Sequence, residues 1–279
     1  MHDSSDARAP RDGGGNGDGT HAGFGSSRAV GNGAAEQTGL QSNHAIEPNA
    51  LLRTLPFEEY RVLSSHLTIA TLRIKQVLIE PRQPISELYF PRVGVCSILS
   101  DELEGGTIEV GTIGPEGFIG IPVLLGAQSM PFRVICQIEG DAWRIGADQF
   151  RRLIDERPVL RRHLLRFTQY FTDQLSQSVA CNRLHTLEER SARWVLMTHD
   201  RVHKDTFEMT QEFLSMMLGV HRPAVSVVMG VLQHAGILRY SRGRVRVLDR
   251  ERLEAASCEC YRVTREERER LLGSFLAGG

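Results

Sequence analysis

The sequence predicts an α+β chain with three parts: a β-rich N-terminal region, one long helix, and a C-terminal helix-turn-helix followed by a hairpin. Three observations predict this order. Short runs with strand periodicity and regular turn signals fill residues 69–145. A helical pattern without Gly or Pro continues from Val159. Two short helices joined by a glycine turn are indicated between Thr210 and Ala235.

Length, charge and cysteine content limit the class of protein. A length of 279 residues favours two domains. The net charge of -1 indicates no particular partner, so only the local distribution of charge is informative. No apolar run is long enough to span a membrane and the N-terminus lacks a signal-peptide pattern, so we expect a cytoplasmic protein with no membrane partner. The five cysteines are odd in number and dispersed, which is typical of reduced thiols.

Residues 1–47 are rich in Gly, Ala, Ser and Asn and contain few large apolar side chains. Such a segment cannot offset its loss of conformational entropy by burial, so it is predicted to be a disordered tail. A partner-binding arm is the alternative interpretation.

Residues 48–157 are predicted to form a β-roll or small sandwich. Along the last of the predicted strands, Val134 and Cys136 alternate with Ile135 and Gln137. Turn signals recur at short spacing, among them the segment Gly114–Gly117. Many short strands with regular turns are typical of this architecture.

Residues 158–187 are predicted to form a dimerisation helix, because a helix of about 25 residues is ~40 Å long and exceeds one small domain. An apolar seam along it would contact a second copy of the chain. The alternative is a helix packed only on its own β-rich domain. The predicted seam residues are Leu160, Leu164, Phe167, Phe171, Leu175, Ser178 and Asn182.

Residues 188–250 are predicted to be a DNA-binding domain. Thr210 can cap a first helix through its hydroxyl, and Gly219 suits the left-handed turn that follows. A second helix then begins at Arg222, with Pro223 in its first turn. Such a helix places its N-terminal side chains on base edges in the major groove, where Arg222 can pair with guanine.

The hairpin after this motif is rich in arginine. Residues 210–248 contain five Arg and one acidic residue, which is typical of a phosphate-binding surface. The predicted DNA-contacting residues are Thr210, Gln211, His221, Arg222, Ser226, Val227, Arg242 and Arg244.

The order of these parts, the segment GPEGFIG at Gly114–Gly120 and the segment MTQEFLSMMLGVHRPAVS from Met209 resemble the Crp/Fnr family of bacterial transcription regulators. The resemblance covers about residues 50–250. It implies a cyclic-nucleotide-binding-like β-roll, a long dimerisation helix and a C-terminal winged helix-turn-helix. The implied partners are double-stranded DNA, read as a palindrome by a homodimer, an unidentified small-molecule effector, and RNA polymerase.

The sequence departs from the family's cyclic-nucleotide binders at the predicted effector pocket. In those proteins a Glu follows the FIG segment and an Arg-Ser pair lies further on. Ile121 and the Met130–Pro131 pair occupy these places here, and they offer no group that could bind a phosphate. Cyclic AMP is therefore disfavoured as the ligand, and no cofactor is assigned. The predicted pocket residues are Gly120, Ile121, Met130, Pro131 and Arg133, the last a cation that could rescue phosphate binding.

No metal site is predicted. The pair Cys258 and Cys260 lacks two further ligands, and no N-terminal cysteine cluster exists for an iron–sulfur centre. Residues 251–279 are predicted to be a tail with a charged helix. No enzyme motif is present, so no catalytic activity is expected. The rival hypothesis is an interaction module with this fold and no DNA function.

Overall fold

The computed structural model describes residues 40–101 and 106–273, and the β-roll prediction is confirmed there. All strand pairs of this sheet are antiparallel. The strand order is β1-β5-β3-β4, and β2 pairs with β5. The elements of this region are α1 (Ala50–Arg53), α2 (Phe57–Ser64), β1 (Thr68–Leu72), β2 (Val77–Ile79), β3 (Glu87–Asp101), β4 (Thr107–Ile113), α3 (Ile121–Leu124), β5 (Arg133–Gly146) and α4 (Ala147–Glu156).

Both faces of β5 are covered, but by different partners. Val134 and Cys136 belong to the core of the β-roll. Ile135 and Ile138 pack with side chains of the C-terminal domain. The predicted alternation therefore separates two packed faces as far as Gln137. Ile138, predicted to share a face with Val134 and Cys136, packs on the other side, because the pairing register shifts between Cys136 and Ile138.

The long helix is α5 (Pro158–Leu184), of 27 residues. Its length agrees with the prediction. Proline at its first position is tolerated because the first N–H groups of a helix have no partner within it. The next helix, α6 (Leu187–Val202), begins with a capping box in which Thr186 and Glu189 satisfy each other's backbone N–H groups. This cap explains why the helical pattern breaks without Gly or Pro.

Aromatic side chains hold α5 against the β-roll. The Phe167 ring centre lies 5.4 Å from that of Phe118, which lies 5.5 Å from that of Phe90. A Cβ atom at Gly117 would lie 2.0 Å from Cζ of Phe167. The glycine therefore lets the helix approach the turn that precedes Phe118.

The side chains predicted to form a seam with a second copy are mostly turned inward. Leu160, Leu164 and Phe167 are fully buried in the β-roll core of their own chain, and Phe171 is 7% exposed. These four residues therefore pack on the β-roll of their own chain, as in the alternative interpretation, because their apolar area is already buried there. The remaining predicted positions are partly or fully exposed: Leu175, Ser178 and Asn182.

A different face of α5 is accessible to a second copy. Its positions recur at spacings of four and three, as in a heptad repeat. These positions are Leu165, Gln169, Thr172, Ser176, Val179 and Arg183. The apolar members Leu165 and Val179 are 39% and 73% exposed.

Ordered structure begins before the predicted boundary at residue 47. Residues 40–45 are helical. Glu47 is 2% exposed, and its carboxylate accepts hydrogen bonds from the Tyr60 hydroxyl at 3.1 Å and from Trp143 Nε1 at 3.0 Å. These bonds offset the cost of burying the charge, so the assignment of residues 40–47 to a disordered tail was wrong. The rest of the predicted tail, residues 1–39, lies outside the described residues.

The C-terminal domain has the predicted winged helix-turn-helix form. A three-stranded sheet of order β6-β8-β7 accompanies its helices. After α6 its elements are β6 (Thr206–Glu208), α7 (Gln211–Leu218), α8 (Arg222–His234), β7 (Leu238–Ser241) and β8 (Arg244–Val247).

The chain after the wing is part of the packed structure. The predicted charged helix is present as α9 (Arg250–Ala255) and α10 (Cys260–Arg268), followed by a π-helical turn. Tyr261 joins the core of the C-terminal domain and Leu272 joins the core of the β-roll. The described part of the predicted tail therefore braces the two domains against each other.

Gly117→Ala should lower the free energy of unfolding by about 1–3 kcal/mol, the usual cost of overpacking a core. The added methyl group would overlap the Phe167 ring. Gly146→Ala is the matched control, since no atom lies within 4 Å of a Cβ there. Chemical denaturation of both variants measures the effect, and unchanged stability in Gly117→Ala would contradict the close contact between α5 and the turn.

Candidate nucleic-acid interface and sensor pocket

Helices α7 and α8 form the predicted helix-turn-helix. The Thr210 hydroxyl caps α7 by accepting a hydrogen bond from the Phe213 N–H at 3.2 Å. Gly219 ends the helix in the left-handed conformation, with φ of 63°, which costs glycine little. The two helices are bent by 101° at this break, within the usual range for the motif. Arg222 and Pro223 then open α8, as predicted.

The outer face of α8 is open to solvent, and its inner face is buried. The side chains that the sequence placed inward are buried: Val225, Val228 and Leu232. Those that it placed outward are exposed: His221, Arg222, Ser226 and Val227. Gln211 Nε2 donates to Ser226 Oγ at 2.8 Å, which holds the start of α7 against this face. A guanidinium, a hydroxyl and an exposed isopropyl group can together make polar and apolar contacts with base edges.

The wing presents its arginines at a tight turn. Ser241 pairs with Arg244 across the hairpin, so Arg242 and Gly243 form a two-residue loop. Their φ angles are 50° and 74°, as a type I′ turn requires. Arg244 Nη2 lies 3.4 Å from Glu208 Oε1. Within the described residues, four guanidinium groups of α8 and the wing have no ion-pair partner: Arg222, Arg239, Arg242 and Arg246.

A cavity of about 270 Å³ lies between the β-roll and α5. Four predicted effector-pocket residues line it: Gly120, Ile121, Met130 and Pro131. Helix α5 contributes Thr168 and Thr172, whose hydroxyls donate to backbone carbonyls one turn earlier. None of the lining side chains is charged. The cavity therefore contains no cation that could balance a phosphate.

Arg133, the fifth predicted pocket residue, lies outside the lining. Its Nη2 is 3.0 Å from Asp101 Oδ2, and its Nε is 3.8 Å from Glu80 Oε2. The two carboxylates balance its charge at the start of β5. The possibility that Arg133 supplies the missing phosphate cation therefore finds no support in this geometry.

A buried ion pair joins the sensor region to the C-terminal domain. Glu116 is in the Gly114–Gly117 turn and Arg201 is near the end of α6, and Arg201 Nη2 lies 2.7 Å from Glu116 Oε1. Arg201 also donates to Gln174 Oε1 on α5 at 3.1 Å. Gln174 Nε2 in turn donates to the Thr112 carbonyl on β4 at 3.2 Å. The β-roll, α5 and α6 thus share one polar network.

A second polar chain reaches the helix-turn-helix. Ser97 donates to Gln137 Oε1 at 3.0 Å, and Gln137 Nε2 donates to Met217 Sδ on α7 at 3.2 Å. Glu109 lies beside Ser97, and its Oε1 has no hydrogen-bond partner. Burial raises the pKa of Glu109 to about 8, against smaller effects of the Ser97 hydroxyl and the Arg201 charge. The Glu109 carboxyl therefore retains its proton near neutral pH.

The sequence analysis assigned no role to Glu116 or Arg201. Glu116 lies inside the motif that carried the family resemblance, which was the available signal. Nothing in the sequence around Arg201 indicates a buried charge, because its partners come from distant segments.

Three thiols and an imidazole also form a cluster that was not predicted from the sequence. The ligand atoms of Cys181, His185, Cys258 and Cys260 all lie within 4.8 Å of one another. Cys181 and His185 are therefore two further side chains with ligand atoms beside Cys258 and Cys260. The available signal was the spacing of Cys181 and His185, because residues four apart share one side of a helix.

Among the helices of the described residues, none by itself has the length and apolar composition of a membrane span. Taken together, α7 and α8 reach that length and composition, but the chain bends by 101° between them.

The chain matches two protein families, in the order in which the fold presents them. Residues 70–157 match the cyclic nucleotide-binding domain. Residues 189–256 match the Crp-like helix-turn-helix domain. No curated protein matches the chain.

Solved structures of regulators share the fold at low sequence identity. FixK2 from Bradyrhizobium japonicum is 16% identical with a TM-score of 0.61, over 69% of this chain and 98% of FixK2. A CRP-family transcriptional regulator from Thermus thermophilus is 19% identical with a TM-score of 0.58, over 68% of this chain and 99% of that one. The c-di-GMP-responsive regulator CLP of Xanthomonas campestris is 13% identical with a TM-score of 0.57, over 69% and 99%.

The two domains and their order define the class: a cyclic nucleotide-binding domain followed by a Crp-like helix-turn-helix domain. The chain shares this fold with solved regulators of the Crp/Fnr type. The predicted fold class and family resemblance are confirmed.

Glu109→Gln should make the protein more stable than wild type at alkaline pH and change little in acid. The pKa of Glu109 is raised from 4.5 to about 8, so the folded chain keeps a proton that the unfolded chain has lost. Wild-type stability should therefore fall as the pH rises from about 4.5 to about 8. The variant cannot ionise and should lose this component of the fall.

Thermal unfolding of wild type and variant at pH values between about 4.5 and about 8 measures the difference in stability. Each kcal/mol should shift the melting temperature by roughly 2–4 °C in a protein of this size. Glu251→Gln, at an exposed position, is the control. Parallel curves for wild type and Glu109→Gln would show that the buried carboxyl does not titrate in this range.

Proposed function

We propose that this protein is a transcription regulator that binds palindromic DNA as a homodimer, and that its sensor domain responds to an effector other than cyclic AMP. The observation that carries the proposal is the exposed face of α8, with Arg222 at its start and an arginine-rich wing beside it. The DNA component and the sensor component rest on separate parts of the chain.

The surface around α8 suits DNA. Five arginines and one acidic residue lie in residues 210–248 of a chain whose net charge is -1, so positive charge is concentrated at this domain. In this motif the N-terminal part of the second helix meets base edges, and Arg222 can pair bidentately with guanine. Arg242 and Arg244 on the wing suit backbone phosphates.

The exposed face of α5 supports a homodimer. Leu165 and Val179 are separated by two heptads and are both solvent-exposed in the single chain. Pairing two copies along this face would bury them and relate the two reading helices by a two-fold axis. Two-fold symmetry would place those helices about one DNA turn, ~34 Å, apart, which corresponds to a palindromic site.

The cavity between the β-roll and α5 favours a small uncharged effector. Its lining is apolar apart from Thr168 and Thr172 of α5. Burying a phosphate there would leave its charge without a partner. An effector that contacts α5 could shift the balance between two arrangements of the DNA-binding domain, provided that it binds one arrangement better than the other.

Selection of bound sequences from a random DNA pool, with and without cyclic AMP, tests the proposal. We expect a palindrome to be enriched equally in both conditions. Enrichment only with cyclic AMP would contradict the proposed effector class. A single half-site would contradict the homodimer, and no enrichment in either condition would favour an interaction module without DNA function.

Arg222→Ala should weaken binding to the selected site by about 1–3 kcal/mol and relax the preference at one base pair in each half-site, because a bidentate contact to a base is lost. Arg244→Ala should weaken binding to all sequences and reduce its salt dependence. Fluorescence anisotropy across single-base variants of the site, at several salt concentrations, measures both.

Arg61→Ala is the control for these variants, because Arg61 is an exposed residue of α2 that pairs with Glu58. If Arg222→Ala weakens binding evenly across all sequences, Arg222 contacts phosphate and does not read a base.

A further inference from the structure

The end of α5 meets the segment between α9 and α10 at a cluster of metal-ligating side chains. Cys181 lies in the last turn of α5 and His185 caps that helix, whereas Cys258 lies just before α10 and Cys260 is its first residue. Cys181 Sγ and Cys258 Sγ are 3.5 Å apart, and Cys260 Sγ lies 3.5 Å from His185 Nδ1. All four ligand atoms lie within 4.8 Å of one another.

We propose that Cys181, His185, Cys258 and Cys260 together bind one zinc ion. Three thiolates and one imidazole are a ligand set that zinc takes in structural sites. With zinc–sulfur bonds of about 2.3 Å, tetrahedral geometry separates two thiolates by about 3.8 Å. The distances in the cluster agree with that spacing, so a single ion would need only small side-chain adjustments.

Outer contacts already orient the ligands as a metal site requires. His185 turns Nδ1 towards the thiols, while its Nε2 lies 3.2 Å from Glu259 Oε2. A carboxylate on the far ring nitrogen fixes the tautomer of a metal-bound histidine. Gln177 Nε2 donates to Cys260 Sγ at 3.0 Å, which stabilises negative charge on that sulfur.

The burial of the cysteines and the charge of a neighbouring arginine also favour a bound zinc ion. The three cysteines are at most 4% exposed. Nearby, Arg193 is 1% exposed. It donates to Ser178 Oγ at 3.1 Å, its Nε has no hydrogen-bond partner, and no carboxylate among the described residues pairs with it. Three thiolates, a neutral imidazole and Zn²⁺ carry one net negative charge, which would balance this buried guanidinium.

Two other interpretations fit the geometry less well. A disulfide between Cys181 and Cys258 needs sulfurs about 2.05 Å apart, and theirs are 3.5 Å apart. In a four-iron cluster each ligand binds a different iron atom, so the ligands lie farther apart than around one ion. Four protein ligands also leave no open position, so the proposed ion is structural.

The ion would fix the segment after the wing to the end of α5. That segment carries Tyr261 into the core of the C-terminal domain and Leu272 into the β-roll core. The metal site would therefore stabilise the junction between the two domains. It does not rest on DNA binding, so either proposal can fail without the other.

Metal analysis of the full chain, purified with reductant and without chelator, tests the site. We expect about one zinc per chain by mass spectrometry of the elements. After zinc removal, Co²⁺ titration should give the visible absorption of a tetrahedral thiolate site, saturating at one equivalent. Cys258→Ala and His185→Ala should each lose most of the bound zinc, whereas Cys96→Ala, a buried cysteine of β3, should retain it.

The cobalt titration of the wild-type chain keeps the test decisive if a cluster variant fails to fold. Less than a tenth of an equivalent of zinc together with no cobalt spectrum would overturn the proposal. So would iron and sulfide in place of zinc, a Cys181–Cys258 disulfide in a chain that takes up no metal after reduction, or equal zinc in Cys258→Ala and Cys96→Ala.

Discussion

The buried pair of Glu116 and Arg201 is the contact on which the arrangement of the two domains depends. Both side chains are less than a tenth exposed, so each charge has lost most of its hydration and relies on the other. Burial is the largest single effect and would lower the pKa of Arg201, but the charge and hydrogen bonds of Glu116, together with Tyr170 and Asp200, outweigh it, so the net shift is upward. Removing one partner of such a pair costs about 3–5 kcal/mol, because the other charge is left buried without compensation.

This pair also belongs to the polar network that connects the β-roll to the C-terminal domain. Arg201 belongs to the first helix of the C-terminal domain, Glu116 to a turn of the sensor region, and Gln174 to α5 between them. A ligand in the cavity would touch Thr172, about half a turn before Gln174. The cavity and the network therefore share one helix, and a displacement of α5 at the cavity would act directly on the buried charges.

Helix α5 brings together the main features of the molecule. Its inner face supplies Phe167 to the β-roll core, its middle lines the cavity, and its last turn and C-cap carry Cys181 and His185. Its outer face, with Leu165 and Val179, is exposed in the single chain and is the face proposed to meet a second copy. One element can serve four purposes because a helix of 27 residues presents different faces at different heights. A continuous apolar pattern therefore does not reveal which face meets which partner.

The helix-turn-helix was largely predictable from the sequence. Thr210, Gly219 and Arg222 act locally, through a cap, a left-handed turn and a helix start, and each depends only on residues within a few positions. The exposed and buried sides of α8 followed from helical periodicity for the same reason. The cavity lining was predicted at four of five positions. Arg133 was misplaced because its carboxylate partners, Glu80 and Asp101, are distant in sequence.

The sequence by itself determined the order of elements, the helix-turn-helix and the resemblance to the Crp/Fnr family. These features depend on local periodicity, caps, turns and residue type. Tertiary structure decided which face of α5 is buried and where the ordered chain begins. It also brought Glu116 to Arg201, and Cys181 and His185 to Cys258 and Cys260. Those contacts join residues more than 70 positions apart, and only the folded chain closes such long loops, because their entropy cost is offset by burial of many other groups at once.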